Sequence, residues 1–272
     1  MNTDRTEQPA ALYSVEYGQD GPPIVLLHGL GGASSAWEAV ARSLSPRKVI
    51  VPDLLGFGRS PRSNSAYSIE EHLDALLRLV RNKGLQNERF DLAGHSMGAI
   101  LAAAFASRHQ DLVRGLALAG LPIYRSREQA LERSKELGIL ARWILGESPM
   151  AKIMCQLMCL LRPGLIMAAP YFLPGLPPNV ARDAFRHDTA SFFGSLQNVV
   201  LGDRLDGILD SLSQRPVLVI HGESDKIAPF ELVQRLPKKY PGWRYEFVAN
   251  GGHLMPIKQP ELVAQLLRDI PG

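Results

Sequence analysis

Gly94-His95-Ser96-Met97-Gly98 interrupts the chain where an apolar run, Phe90-Asp91-Leu92-Ala93, gives way to a small-residue stretch, Ala99-Ile100-Leu101-Ala102-Ala103-Ala104-Phe105-Ala106. The first reads as a strand and the second as a helix, so the pentapeptide is the tight turn between them, with Ser96 at its apex. G-x-S-x-G alone is common by chance; the strand-turn-helix setting gives it chemical meaning. Side chains missing at 94 and 98 let the turn close. The helix N-terminus aims N–H groups and a positive dipole end at negative charge developing beside Ser96. These features make Ser96 a candidate nucleophile in an α/β protein.

Other segments have matching placements. Pro23-Ile24-Val25-Leu26-Leu27 is a continuous apolar run, the mark of a strand buried on both faces, and it ends in His28-Gly29-Leu30-Gly31-Gly32. Pro216-Val217-Leu218-Val219-Ile220 is a second such run, followed by His221-Gly222-Glu223-Ser224-Asp225. Tyr245-Glu246-Phe247-Val248 precedes Asn250-Gly251-Gly252-His253. An acid and a histidine therefore follow two late strands. A serine hydroxyl is a poor nucleophile at neutral pH; an imidazole must take its proton, and a carboxylate must hold that imidazole in the right tautomer.

With these motifs the chain resembles the α/β-hydrolase superfamily, as an esterase- or lipase-like serine hydrolase with a lid, from about Tyr13 to the last helix. The resemblance rests on H-G-x-G-G at 28–32, D-x-x-G-x-G-x-S from Asp53 to Ser60, the serine turn, G-x-x-D at 222–225 and Gly252-His253. It implies a mostly parallel central sheet flanked by helices, with a helical lid inserted after the sixth core strand. It also implies a triad of Ser96 as nucleophile, Asp225 as acid and His253 as base, and an oxyanion hole made by the backbone N–H groups of Leu30 and Met97. Asp225 is preferred to Glu223 because it fits the family spacing and its shorter side chain is easier to hold rigid. The preceding strand and its end, Leu116 to Pro122, offer no competing acid. Of the seven histidines, His28, His95 and His221 read as structural imidazoles, and His72, His109 and His187 fall in expected helices. His253 lies where the base belongs.

The pattern along the chain expects strands over 11–17, 23–28, 47–52, 90–94, 113–119, 216–221 and 243–248. Core helices are expected near 34–45, 68–83, 97–108, 229–236 and 260–269. Ser68-Ile69-Glu70-Glu71 is a capping box. The strand-helix alternation stops between 121 and 212, where helical patterns at 125–145, 149–161 and 179–202 surround a proline-rich segment from Arg162 to Pro178. The expected organisation is core over 1–120, lid over 121–212 and core again over 213–272. Only one strand precedes the H-G strand, where the family often has two, so the sheet edge is expected to be short.

A chain of 272 residues, 46% of them hydrophobic, can bury one large core. Its net charge is only +3, and its basic residues are scattered, which argues against nucleic-acid binding. The two cysteines, Cys155 and Cys159, are expected to be buried thiols on a helix; their low number fits a reducing compartment and is too few for a zinc site. The polar start of the chain and the lack of a run of about 18 apolar residues lead to the expectation of a soluble, cytoplasmic protein without stable membrane insertion. Neither a cofactor nor a metal is expected. A face of the Leu- and Met-rich stretch holding Leu140, Ile144, Met150, Met154, Met158, Leu161, Leu165, Ile166 and Met167 is expected over Ser96, favouring a hydrophobic small-molecule substrate. Carboxylic ester hydrolysis is the leading reading. Carbon–carbon bond hydrolysis, thioester or lactone hydrolysis, acyl transfer and perhydrolysis are alternatives on the same triad, and a ligand receptor on the same fold is a further one. Epoxide and haloalkane hydrolysis are disfavoured, because relatives with those activities carry aspartate where this chain has Ser96.

Overall fold

Successive residues of one strand build both sides of the core. Ile24 and Leu26 pack into one buried cluster and Val25 and Leu27 into the other, so the strand is apolar on both faces and needs helices above and below it. The computed structural model describes residues 11–124, 126–136, 153, 156–157 and 159–272. Seven strands, β1 (Ser14–Tyr17), β2 (Asp20–Leu27), β3 (Arg47–Pro52), β4 (Phe90–His95), β5 (Val113–Ala119), β6 (Val217–Gly222) and β7 (Arg244–Val248), form one sheet in the order β1-β3-β2-β4-β5-β6-β7. Only β1, at the edge, runs antiparallel to its neighbour. Helix α1 (Glu38–Ser43) and the helix Pro260–Arg268 cover one face, through Val40, Ala41, Val263, Ala264 and Leu267. Helices α2 (Ile69–Asn82) and α3 (Met97–Arg108) cover the other. The capping box opens α2: the Ser68 N–H donates to Glu71 Oε2 at 2.8 Å and the Glu71 N–H to Ser68 Oγ at 3.3 Å.

The segment after β5 is helical in its described part. It follows β5, the fifth strand of this chain, with only one strand, β1, preceding β2. Two elements differ from the sequence pattern. The proline-rich segment contains a helix, Arg162–Phe172, in which Pro163 occupies the first turn, where no intrahelical N–H is needed. The stretch expected as one helix over 179–202 breaks into Pro178–Asp183, Thr189–Ser195 and a π-helical turn, Leu196–Val200. His187 leaves the helix to bridge Phe57, and Asp188 caps the next one by accepting the Ser191 N–H at 2.7 Å. His109 is also outside its helix, at the C-cap of α3. Cys159 is half-buried, with its thiol 3.9 Å from the His187 carbonyl, rather than enclosed as expected; Cys155 lies outside the described residues. No helix among the described residues is long and apolar enough to cross a membrane.

Buried imidazoles tie the loops together. His28 Nδ1–H donates to the Gly29 carbonyl at 2.8 Å, and its Nε2 accepts the Leu54 N–H at 2.9 Å, joining the loops after β2 and β3. His72 Nε2 lies 3.0 Å from Ser195 Oγ, pinning the inserted helices to α2. Both members of that pair are buried, and among the described residues His72 Nδ1 has no hydrogen-bond partner, so no described carboxylate completes a triad with them.

The packing makes stability sensitive to added side chains and to pH. A Cβ on Gly94 would sit 2.0 Å from the Gly98 carbonyl oxygen, and one on Gly98 would sit 2.3 Å from the Leu27 carbonyl oxygen. Gly94→Ala and Gly98→Ala are each expected to cost at least about 3 kcal/mol, because rigid backbone must move. By contrast Gly164→Ala, in an open helical position, should stabilise by roughly 0.5–1 kcal/mol in urea unfolding. Burial is the largest cause that lowers His72 to about 4, His187 to about 4 and His95 to about 3, from the ordinary 6.5. Below 6.5 the unfolded chain binds protons that the folded chain refuses, so stability falls as the pH drops from about 6.5 towards 4, by up to roughly 1.4 kcal/mol per pH unit for each imidazole. The urea midpoint should therefore be lower at pH 5 than at pH 7.5, and His72→Gln should flatten part of that difference.

Candidate active site

Ser96 adopts φ 55° and ψ −121°, a conformation that a non-glycine residue holds only when its surroundings impose it. They do so here: its N–H donates to the Ala119 carbonyl of the adjacent strand end at 2.9 Å, and α3 begins at the next residue. The side chain is thrust out above the C-terminal ends of the parallel strands, where ligands of open α/β sheets bind.

Two other strand ends supply its partners. His253, in the loop after β7, places Nε2 3.0 Å from Ser96 Oγ. Its Nδ1 lies 2.8 Å from Asp225 Oδ2, in the loop after β6. The remaining Asp225 oxygen accepts the N–H groups of Ile227 at 2.9 Å and Ala228 at 2.8 Å. Burial pushes the Asp225 carboxyl up, but the hydrogen bond and charge of His253, together with the Ala228 N–H, outweigh it and hold its pKa below the ordinary 3.8. An ionised Asp225 that accepts from Nδ1–H leaves Nε2 free to receive a proton from Ser96. Glu223 is exposed, so of the two acids only Asp225 is joined to His253.

The Leu30 amide belongs to the loop after β2, and the Met97 amide follows Ser96 directly in the chain. The Met97 N–H is the first of α3 and has no intrahelical acceptor; neither amide donates to any group among the described residues. The Leu30 loop is held by Asp53, which accepts the Ser34 N–H at 2.6 Å and the Arg59 N–H at 2.8 Å. Ser60 Oγ returns a hydrogen bond to the Asp53 carbonyl at 2.5 Å. The Asp53-to-Ser60 motif is thus a brace for the loop beside Ser96. Other expected structural imidazoles also have partners: His221 Nε2 donates to the Ala228 carbonyl at 2.9 Å, behind Asp225.

A cavity of about 500 Å³ opens onto Ser96 and His253. Its wall is apolar, formed largely by Leu176, Val180, Ala184, Phe192, Leu196 and Val200 from the inserted segment, with Ile227 and Ile257 from the core. Tyr124 also lines it, with its hydroxyl donating to the Ile227 carbonyl at 2.9 Å. Among the described residues between β5 and β6, most of the wall comes from 176–201, with Pro122, Tyr124 and Ala130 from the start of that segment. Leu161 and Met167 are exposed, and neither they nor Leu165 and Ile166 line the cavity. Leu140, Ile144, Met150, Met154 and Met158 lie outside the described residues. The sequence pattern missed Phe192 and Val180 because an amphipathic helix does not reveal which neighbour its apolar face meets. Among the described residues no group of three or more His, Cys, Asp or Glu side chains could hold a metal ion.

Known proteins share this architecture. The chain is 24% identical over 271 residues to the probable lysophospholipase BODYGUARD 3 of Arabidopsis thaliana, an alignment covering 89% of this chain but only 54% of the plant protein. The chain thus spans about half the length of that relative. It is 28% identical over 267 residues to 2-hydroxymuconate semialdehyde hydrolase of Pseudomonas putida, covering 92% of this chain and 87% of that one. Among solved structures, a thermophilic esterase from Thermogutta terrifontis superposes with a TM-score of 0.69 at 25% identity, covering 95% of this chain and 92% of the esterase. Residues 24–266 match the family described as the alpha/beta hydrolase family, and with the parallel sheet and the strand-turn-helix at Ser96 this places the chain in that family.

Proposed function

We propose that this chain is a serine hydrolase that cleaves carboxylic esters with an apolar acyl group. The observation that carries the reading is the relay in which Ser96 Oγ, His253 Nε2, His253 Nδ1 and Asp225 Oδ2 follow one another at 3.0 and 2.8 Å, at the floor of an apolar cavity. Ser96 Oγ attacks the ester carbonyl carbon as its proton passes to His253 Nε2. The Leu30 and Met97 N–H groups receive the oxyanion of the tetrahedral intermediate. Its collapse breaks the ester C–O bond, and the leaving alkoxide takes the proton from His253. Water then gives a proton to His253 as its oxygen attacks the acyl carbon, and Ser96 departs with that proton. Asp225 stays ionised and fixes the histidine tautomer.

The relatives include a probable lysophospholipase and a 2-hydroxymuconate semialdehyde hydrolase, and ester and carbon–carbon bond cleavage can share one triad. The apolar wall offers a place for the hydrocarbon chain of an acyl group.

A panel of acyl esters, thioesters, lactones and vinylogous diketones separates these reactions. Ester turnover should be highest, well beyond one event per protein, and Ser96→Ala should remove at least about a thousandfold of it together with fluorophosphonate labelling. Single-turnover capture without release would instead fit a receptor. Asp225→Asn should cost on the order of a thousandfold or more by permitting the wrong tautomer, while Glu223→Gln stays near wild type; equal losses would refute the assignment of the acid. The wall should grade selectivity by about 1–3 kcal/mol per methylene. Val180→Phe should therefore move the preferred acyl chain to shorter lengths without changing Ser96 labelling by a small phosphonate.

A further inference from the structure

His95, the residue beside Ser96, is buried, lines the cavity and meets His253 twice. Its Nε2 lies 2.7 Å from the His253 backbone carbonyl, and the two rings approach to 4.8 Å between centroids at 49°. A carbonyl only accepts, so Nε2 carries the proton and Nδ1 does not. Gly120, at the end of β5, lies against both rings with φ +55°; a Cβ there would meet His253 Nδ1 and His95 Nε2 at 3.4 Å, an ordinary contact distance.

The position of this bond matters because His253 sits in a loop, not in a helix or strand. The turn leading to it is anchored by the Gly251 N–H to the Val248 carbonyl at 2.9 Å and by the Ser224 N–H to the Gly251 carbonyl at 2.9 Å. At His253 itself, the carbonyl is held by β4, the strand that carries Ser96. We infer that His95 is a positioning residue for the base: through its Nε2–H bond to the His253 carbonyl, it fixes the distance from the imidazole of residue 253 to the oxygen of the adjacent serine. The inference rests on the serine hydrolase reading. Displacement of a reacting group by about 1 Å can cost on the order of a hundredfold in rate, so one well-placed bond suffices to matter.

The same residue suits the charge that catalysis creates. Groups acting on His95 are His253, Asp225 and His28, and burial with the neighbouring His253 lowers its pKa to about 3. It therefore stays neutral at working pH, keeps its Nε2–H, and adds no positive charge beside His253 when that ring receives the serine proton.

The test compares His95→Phe, which keeps an aromatic ring but loses the donor, with His95→Gln, which keeps an N–H donor. The readouts are the rate of Ser96 labelling by a fluorophosphonate, kcat and KM on the best ester, and the urea midpoint. His95→Phe is expected to slow labelling and kcat by about ten- to a hundredfold with KM nearly unchanged. His95→Gln is expected to recover most of that loss. If His95→Phe does not fold, His95→Leu, smaller and equally without a donor, takes its place. A donorless variant that labels at the wild-type rate would overturn the inference, as would equal losses in the donorless and glutamine variants, or a loss confined to KM and stability. Wild-type protein that is not labelled at Ser96 would instead remove the serine hydrolase reading itself, so the two failures are distinct.

Discussion

The backbone of one residue, Ser96 at φ 55°, is the constraint on which the rest of this structure depends. Such a conformation costs on the order of 1–3 kcal/mol and survives only where flanking structure over-determines it. Here β4 lies inside the sheet between β2 and β5, and α3 is buried along most of its length, so neither side of the turn can relax. Gly94 and Gly98 then let backbone approach backbone: each occupies space in which even a methyl group would meet a carbonyl oxygen. The strain is thus the consequence of joining a central strand to a buried helix in the shortest possible way. What it yields is a hydroxyl lifted out of the sheet and next to the first amides of a helix.

Polar groups around that turn are handled in two different ways. Asp225 is a buried charge, and it is surrounded by donors: two backbone N–H groups on one oxygen and His253 on the other. That arrangement meets the condition under which a buried carboxylate remains ionised. The imidazoles of His28, His72, His95 and His221 are buried without a comparable set of anions, and burial lowers the pKa of each. A neutral imidazole can donate from one nitrogen and accept at the other, so it joins two loops without burying a charge. His28 does this between the loops after β2 and β3, and His95 links the end of β4 to the loop after β7.

The proposed relay and its enclosure come from different parts of the chain. Ser96, Asp225 and His253 stand on strand ends of the core, while much of the cavity wall comes from 176–201 in the inserted segment. That wall is anchored at its base, through the His72 to Ser195 contact and the Asn198 side chain donating to the Ala66 carbonyl at 2.6 Å. Its inner face is hydrocarbon. Dispersion and hydrophobic contacts are non-directional, so such a wall distinguishes ligands by size and shape more than by functional group.

The local patterns were legible in the sequence because they depend on a few neighbouring residues. The apolar runs around 24–27, 90–94 and 217–220 identified buried strands, the capping box at Ser68 located the start of α2, and the glycines flanking Ser96 marked a turn that no larger residue fits. Motif order also brought Asp225 and His253 forward as partners for Ser96. What the sequence could not decide was anything that requires knowing which surfaces meet. Spacing already prefers Asp225 to Glu223, but the loop geometry that buries one carboxylate and exposes the other is tertiary. The Leu- and Met-rich stretch and the 176–201 segment are both apolar by composition, yet among the described residues only the second lines the cavity. The division of the 179–202 segment also depended on contact, since His187 leaves the helix to bridge Phe57 in the core. Backbone propensity and motif spacing act over short distances along the chain and so determine elements and candidate residues; burial and partner choice arise between segments far apart in sequence, and only the tertiary structure decides them.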